Sequence, residues 1–408
     1  MFIRYKKLLS VIAFLELCGC SIDQTQTDKK EPLSLNDAIL TNNLTAETKQ
    51  TNHKKRIGIL TSGGDCSGLN AIIYAAYKKA KAFGYEMIGF KYGVHGVVHN
   101  QYIVLDDTIC NSDILQKSGT ILKSNTKVLL GENGKILNKE ESDKEIIKRY
   151  HAMQLDGLIY VGGNGSIGAI KNILKKDPSL RIIGVPKTID NDIAYTDEAV
   201  GFATVSEVVS NAIENIISTA QSHERVFVVE VMGRDAGYIA LISGIATGAD
   251  VILIPEKKYK WGNLVRKVKR SYDEKKYAIV VVSESVESEE MKHKSCQLSD
   301  VLLRKEYGGI ASVIANKLKK SGFDAKAVTL GHIQRGGRTA VADRLLGQKF
   351  GAEAVKLINN HDKSGLLGYQ NDRIVKTNMN DIVSTTRSLK ATDEDILLAN
   401  SLGIYVGE

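Results

Sequence analysis

Short apolar runs rich in β-branched residues recur along the chain from Arg56 onward: RIGIL (56–60), GLIYV (157–161), RIIGV (181–185), RVFVVEV (225–231), DVILI (250–254) and AIVVVSE (278–284). Several end in a glycine turn or polar loop and pass into helical stretches such as GLNAIIYAAYKKAKAFG (68–84). Apolar strands alternating with helices predict βαβ units and parallel sheets covered on both faces. One sheet would struggle to hold so many strands, so two α/β domains are expected. In such folds ligands bind beyond the carboxyl ends of the strands, which makes the loops after these runs the places to look for chemistry. Residues 21–54 read differently. They are polar throughout and predict a flexible extension.

Composition adds little to the fold but narrows the function. The 408 residues are 43% hydrophobic and 25% charged, the balance of a globular chain long enough for two or three domains. The formal charge is +8, with no long basic run and no basic stripe interleaved with aromatics, so the surplus reads as attraction for small anionic substrates and not as a nucleic-acid surface. The cysteines, at 18, 20, 66, 110 and 296, are odd in number and widely spaced. They support neither a disulfide framework nor a zinc site. The start of the chain points elsewhere: a basic MFIRYKK, an apolar LLSVIAFLELC, then Cys20 resemble a lipoprotein signal cleaved before that cysteine. Membrane attachment is expected only if Cys20 is lipidated.

Six loops carry candidate chemistry. TSGGD (61–65) and GGNGS (162–166) each follow an apolar run and precede a helix. Glycines there admit a ligand close to the backbone, and a helix amino end suits phosphate. A plain tight turn has the same sequence, and the pair weighs more than either loop. PKTIDND (186–192) places Lys187, Asp190 and Asp192 after a buried strand. Phosphoryl transfer to an alcohol needs a carboxylate to take the proton and cations to neutralise charge; a capped polar turn is the bland alternative. VMGRDAGY (231–238) ends a strand in Met-Gly-Arg, with Arg234 able to clamp an anion and Gly233 able to offer main-chain donors to sugar hydroxyls. GHIQRGG (331–337) sets His332 and Arg335 three apart among glycines. In SHERVFVVE (222–230), Arg225 precedes a strand and so faces away from that strand's own carboxyl end.

In this order the loops resemble the phosphofructokinase family over residues 56 to about 370. The resemblance implies two Rossmann-like three-layer domains with parallel sheets and the active site in the cleft between them. Residues 56–201 with 334–384 would bind nucleotide, and 202–333 with 385–408 would bind sugar phosphate. It implies ATP-dependent phosphorylation of the 1-hydroxyl of fructose 6-phosphate, a glycolytic step in the cytoplasm, by a homotetramer or dimer. Asp190 would be the base, with Thr188, Asp192 and Arg234 completing the catalytic set. Thr188, Ile189, Met232, Gly233, Arg234 and Glu284 would hold the sugar. His332 and Arg335 would hold its 6-phosphate, joined by Lys326 and by Arg225 across a subunit interface. Gly63, Ser124, Gly163, Asn164, Gly165 and Ser166 would hold the donor, and Asn164 with Asp192 would hold Mg²⁺.

The chain departs from the family pattern at three places. Asn164 stands where Asp is usual, which keeps an oxygen ligand and loses the charge. Lys326 replaces an arginine and loses its bidentate fork. Lys123 stands where many members have Gly. For the donor, Gly165 leaves room for ATP, where pyrophosphate users carry Asp, while Lys187 is the residue of pyrophosphate users. The chain resembles a mixed subgroup of the family that combines this Gly with this Lys and mostly uses ATP, so ATP is the expected donor. A pyrophosphate-dependent enzyme and a catalytically weak binding homologue are the alternatives.

Overall fold

A computed structural model describes residues 54–125, 129, 131, 136–287 and 308–408. The leader and Cys20 lie outside them. The elements in chain order are β1 (Arg56–Thr61), α1 (Leu69–Ala82), β2 (Glu86–Phe90), α2 (Val94–Val98), β3 (Tyr102–Val104), α3 (Lys139–Ala152), β4 (Gly157–Gly162), α4 (Asn164–Lys176), β5 (Ile182–Pro186), α5 (Phe202–His223), β6 (Val226–Val231), α6 (Tyr238–Ala246), β7 (Val251–Leu253), α7 (Trp261–Lys275), β8 (Ala278–Ser283), α8 (Ile310–Lys320), β9 (Ala325–Thr329), α9 (Val341–Asn359), β10 (Gly365–Gln370), β11 (Arg373–Asn378) and α10 (Glu394–Ser401).

The strands form two sheets, one of seven strands ordered β11-β10-β5-β4-β1-β2-β3 and one of four ordered β7-β8-β6-β9. The four-stranded sheet is parallel throughout. The seven-stranded sheet differs from expectation at its edges, where β3 and β11 run antiparallel to their neighbours. The β10–β11 hairpin turns at Asn371 and Asp372, both left-handed (φ 49° and 63°), as a two-residue hairpin of mirror-image twist requires.

Helices cover both sheets because the strands are apolar on both faces. Ile146 of α3 and Ile167, Ile170 and Ile173 of α4 join one core over the first sheet, and α7 and α8 join another over the second. The largest cluster takes in residues of both sheets together with α1, α5, α6 and α9. Helices α1 and α9 cross closely. A Cβ at Gly351 would stand 2.3 Å from the Ile72 carbonyl oxygen, so only glycine fits. Buried Asp343 of α9 caps the amino end of α5, accepting from the Gly201 and Thr204 amides at 2.7 and 2.8 Å. No helix among the described residues is long and apolar enough to cross a membrane.

Candidate active site

The TIDND loop leaves the carboxyl end of β5 buried. The Lys187 amide donates to the Gly162 carbonyl and the Thr188 amide to that of Val200. Ile189 is buried and anchors the loop. Asn191 then turns left-handed at φ 51°, its side chain accepting from the Ala199 amide (2.9 Å) and donating to the Asp197 carbonyl (3.1 Å). The loop is therefore turned at Asn191, and the two aspartates stand in different surroundings. Thr188 Oγ1 accepts from the Asp190 amide at 3.1 Å. Burial pushes the Asp190 carboxyl up to about 6; the Asp192 charge adds to the rise, and Arg335, Arg234 and Lys187 oppose it. Asp192 is also raised by burial, and hydrogen bonds from Thr188 and Asn164 pull it back.

Asn164 opens α4 directly after β4, and no side chain caps that helix end. Its Nδ2 donates to Asp192 Oδ2 at 2.8 Å and to the Asp192 carbonyl at 3.3 Å. Both partners are pure acceptors, so the amide orientation is forced. The Asn164 Oδ1 is left buried with no partner. An orphaned oxygen beside a carboxylate fits a hard divalent cation that keeps waters and phosphate oxygens as its other ligands. No group of three or more His, Cys, Asp or Glu able to hold a metal occurs among the described residues. A Cβ at Gly165 would meet nothing within 4 Å, so space opens at the start of α4.

The first glycine loop behaves differently. Helix α1 begins only at Leu69, so Gly63 and Gly64 do not sit on its amino end as the sequence suggested. Two cations fix the loop instead. The buried Lys187 ammonium donates to the Gly64 carbonyl at 2.5 Å, and Arg335 donates to the Asp65 carbonyl at 2.7 Å. Burial lowers the proton affinity of Lys187. Ser124 is half-buried in a segment tied to the end of β1 by a Thr61–Thr120 hydroxyl contact of 3.2 Å. Lys123 takes φ 61° and lies 5.9 Å over the Tyr92 ring.

From the second sheet come the residues after β6, β8 and β9. Gly233 has φ 128°, and its carbonyl accepts from Ser283 and Ser285, each at 2.9 Å. Burial and the Asp190 charge raise Glu284, and a main-chain hydrogen bond from Gly233 pulls its carboxyl down. The Met232 amide donates to the buried Gln334 at 3.0 Å, which locks the Met-Gly-Arg turn to the short 3₁₀ helix Gly331–Arg335. His332 and Arg234 are exposed. Gln334, Ser283, Ser285 and Asn191 were not singled out in the sequence. Serines on alternate strand positions were the only visible cue.

Two predicted residues lie elsewhere. Arg225 donates to Asp324 at 2.6 Å, and Lys326 pairs with the same carboxylate at 3.0 Å. Both sit at the amino ends of β6 and β9, about 20 Å of strand from Met232 and His332. Two hollows of about 380 and 470 Å³ meet at Tyr238 and Arg387, the first of them reaching Asn191, and neither is lined by Asp190 or Glu284.

Residues 56–358 match the family model described as Phosphofructokinase. The chain is 39% identical over 364 residues to ATP-dependent 6-phosphofructokinase 2 of Clostridium perfringens, covering 86% of this chain and 98% of that one. It is 38% identical to the pyrophosphate–fructose 6-phosphate 1-phosphotransferase of Dictyoglomus thermophilum, covering 77% and 88%. The phosphofructokinase structure from Saccharomyces cerevisiae superposes with a TM-score of 0.68 at 26% identity over 85% of this chain, which spans 46% of the yeast one.

Proposed function

The chain belongs to the phosphofructokinase family, and on that premise we propose that it transfers the γ-phosphoryl group of ATP to the 1-hydroxyl of fructose 6-phosphate, in the cytoplasm, with Asp190 as the base. The observation that carries this reading is Asp190 itself. It is a buried carboxyl raised to about 6, with Lys187, Arg234 and Arg335 as its opposing charges, where strand ends of two sheets converge. A base poised near the operating pH combines correct ionisation with proton affinity.

The chain's own residues divide the work. Thr188 and buried Ile189 hold the loop, and Asp190 accepts the hydroxyl proton. Met232, Gly233 and Glu284 shape the sugar subsite, while Arg234 balances charge near the reacting oxygen. His332 and Arg335 take the 6-phosphate; Arg335 keeps donors beyond the one it gives Asp65. Gly63, Ser124 and the loop from Gly163 to Ser166 take the donor. Residues 56–201 with 334–384 form the nucleotide lobe, and 202–333 with 385–408 the sugar lobe. Arg225 and Lys326 serve a second copy's site, since their strand ends face away from their own. Asp192 and Asn164 Oδ1 would hold Mg²⁺, which supplies charge neutralisation to the phosphoryl oxygens when bound.

Donor choice has a second reading. The open space at Gly165 favours ATP. The Lys187 ammonium, buried against the first glycine loop, favours pyrophosphate. A coupled assay with fructose 6-phosphate, Mg²⁺ and either donor separates them. We expect turnover with ATP, abolished in Asp190→Ala and raised in Asn164→Asp. Turnover with pyrophosphate alone selects the second reading, and sugar binding without turnover on either donor refutes both.

A further inference from the structure

The positive surplus of this chain is concentrated in two segments, although Glu408 and Asp250 outside them answer Lys260 and Lys275. Residues 257–276 hold nine lysines and arginines against two carboxylates, and residues 310–320 hold three lysines and no acid. Their combined surplus of ten exceeds the +8 of the whole chain, so everything else is slightly acidic. These segments contain α7 and α8, which bury Leu264, Val268, Ile314 and Leu318 in one core on the same side of the four-stranded sheet. The helices are neighbours, with the Lys317 ammonium 4.9 Å over the Trp261 ring.

Their outer surfaces carry exposed Arg266, Lys269, Arg270, Lys319 and Lys320. Lys269 and Arg270 are answered by Asp273 and Glu274 four residues on. Arg266, Lys267, Lys319 and Lys320 have no acidic partner among the described residues. A solvated helix face ordinarily mixes signs, and like charges four apart, as at Arg266 and Arg270, disfavour the helix. The cations of the candidate active site, Lys187, Arg234 and Arg335, belong to other segments, so this charge does not serve the substrates directly.

We propose that the α7–α8 face docks the protein on a bilayer surface rich in anionic phospholipid headgroups. The charge spreads over two adjacent helices instead of lining a groove. The neighbouring aromatics Tyr259, Trp261 and Tyr272 are packed against the core and are not offered for base stacking, which argues against single-stranded nucleic acid. Juxtaposed lysines and arginines each add to attraction toward a charged leaflet, within a screening length of it. A lipid on Cys20 would supply a second, hydrophobic signal, and two signals are what stable anchoring takes.

The full-length chain is sedimented with vesicles of phosphatidylcholine alone and of phosphatidylcholine mixed with phosphatidylglycerol. A variant carrying Arg266→Gln, Lys267→Gln, Lys319→Gln and Lys320→Gln is compared with it, and a second carrying only Lys319→Glu and Lys320→Glu. We expect the parent chain to favour the phosphatidylglycerol vesicles and to be released by salt. The fourfold variant should partition about tenfold or more less, the double variant should shift the same way, and turnover in solution should not change. Equal binding of parent and variants, or equal binding to both vesicle types, assigns attachment to the leader alone and overturns the proposal. So does displacement from the vesicles by an oligonucleotide that binds the parent chain more tightly than they do.

Discussion

Asp190 is where a single side chain decides most. Its folded-state affinity for the proton is raised from 3.8 to about 6. As the base it must be ionised, so kcat/KM should rise with pH and level off above an apparent value near 6. The same shift opposes folding. A carboxyl that holds its proton more tightly when folded weakens the fold as pH climbs from its unfolded value through its folded one, and the full cost is present above that. Asp190→Asn should therefore lose about two to four orders of magnitude in turnover while gaining up to about 3 kcal/mol of stability near pH 7.5. Melting curves should show the gain vanishing below about pH 4, where both forms are neutral. An unchanged melting temperature near pH 7.5 would contradict the strained carboxyl. The motifs displayed Asp190 and Arg234, whose types suit phosphoryl transfer, while Glu284 came only with the family resemblance. Gln334 and Ser283 were invisible because they serve main-chain groups, and no spacing in a sequence reports which amide will lack a partner.

Among elements, every apolar run read from the chain became a strand, since a strand buried on both faces has no polar alternation to blur it. Strands β3, β9 and β11 escaped notice because they sit at sheet edges and are half exposed, and buried β2 and β10 because glycines interrupt their apolar runs. The α1–α9 crossing was equally silent, because a glycine in a helical stretch reads first as a weakness. In the fold, Gly351 is the contact. Gly351→Ala should push the helices apart and lose about 1–3 kcal/mol in denaturant unfolding. Gly262→Ala in α7, where a Cβ meets nothing within 4 Å, should instead gain about 0.5–1 kcal/mol. If both variants behave alike, the crossing does not limit packing.

At the scale of the whole molecule, the sequence conveyed two α/β layers and the convergence of TIDND, Met-Gly-Arg and the glycine loops. It did not convey that Lys326 and His332 occupy opposite ends of one strand, because half-exposed β9 shows no apolar run to mark it as a strand. If Arg225 completes another copy's site, a mixture of Asp190→Ala and Arg225→Ala chains, each inactive alone, should recover part of the activity once subunits exchange. One site in the mixed assembly then has every residue intact. No recovery despite mixed assemblies detected by mass would assign Arg225 to its own chain's stability.

Asp324 has a consequence of its own. One exposed carboxylate holds Arg225 and Lys326 together, so under the role proposed for that pair it stands in for an incoming phosphate. Any anion from outside has to outcompete an occupant that is never more than a side-chain rotation away. Selectivity then falls to ligands carrying more than one negative charge, and a monovalent ion such as chloride gains little by trying.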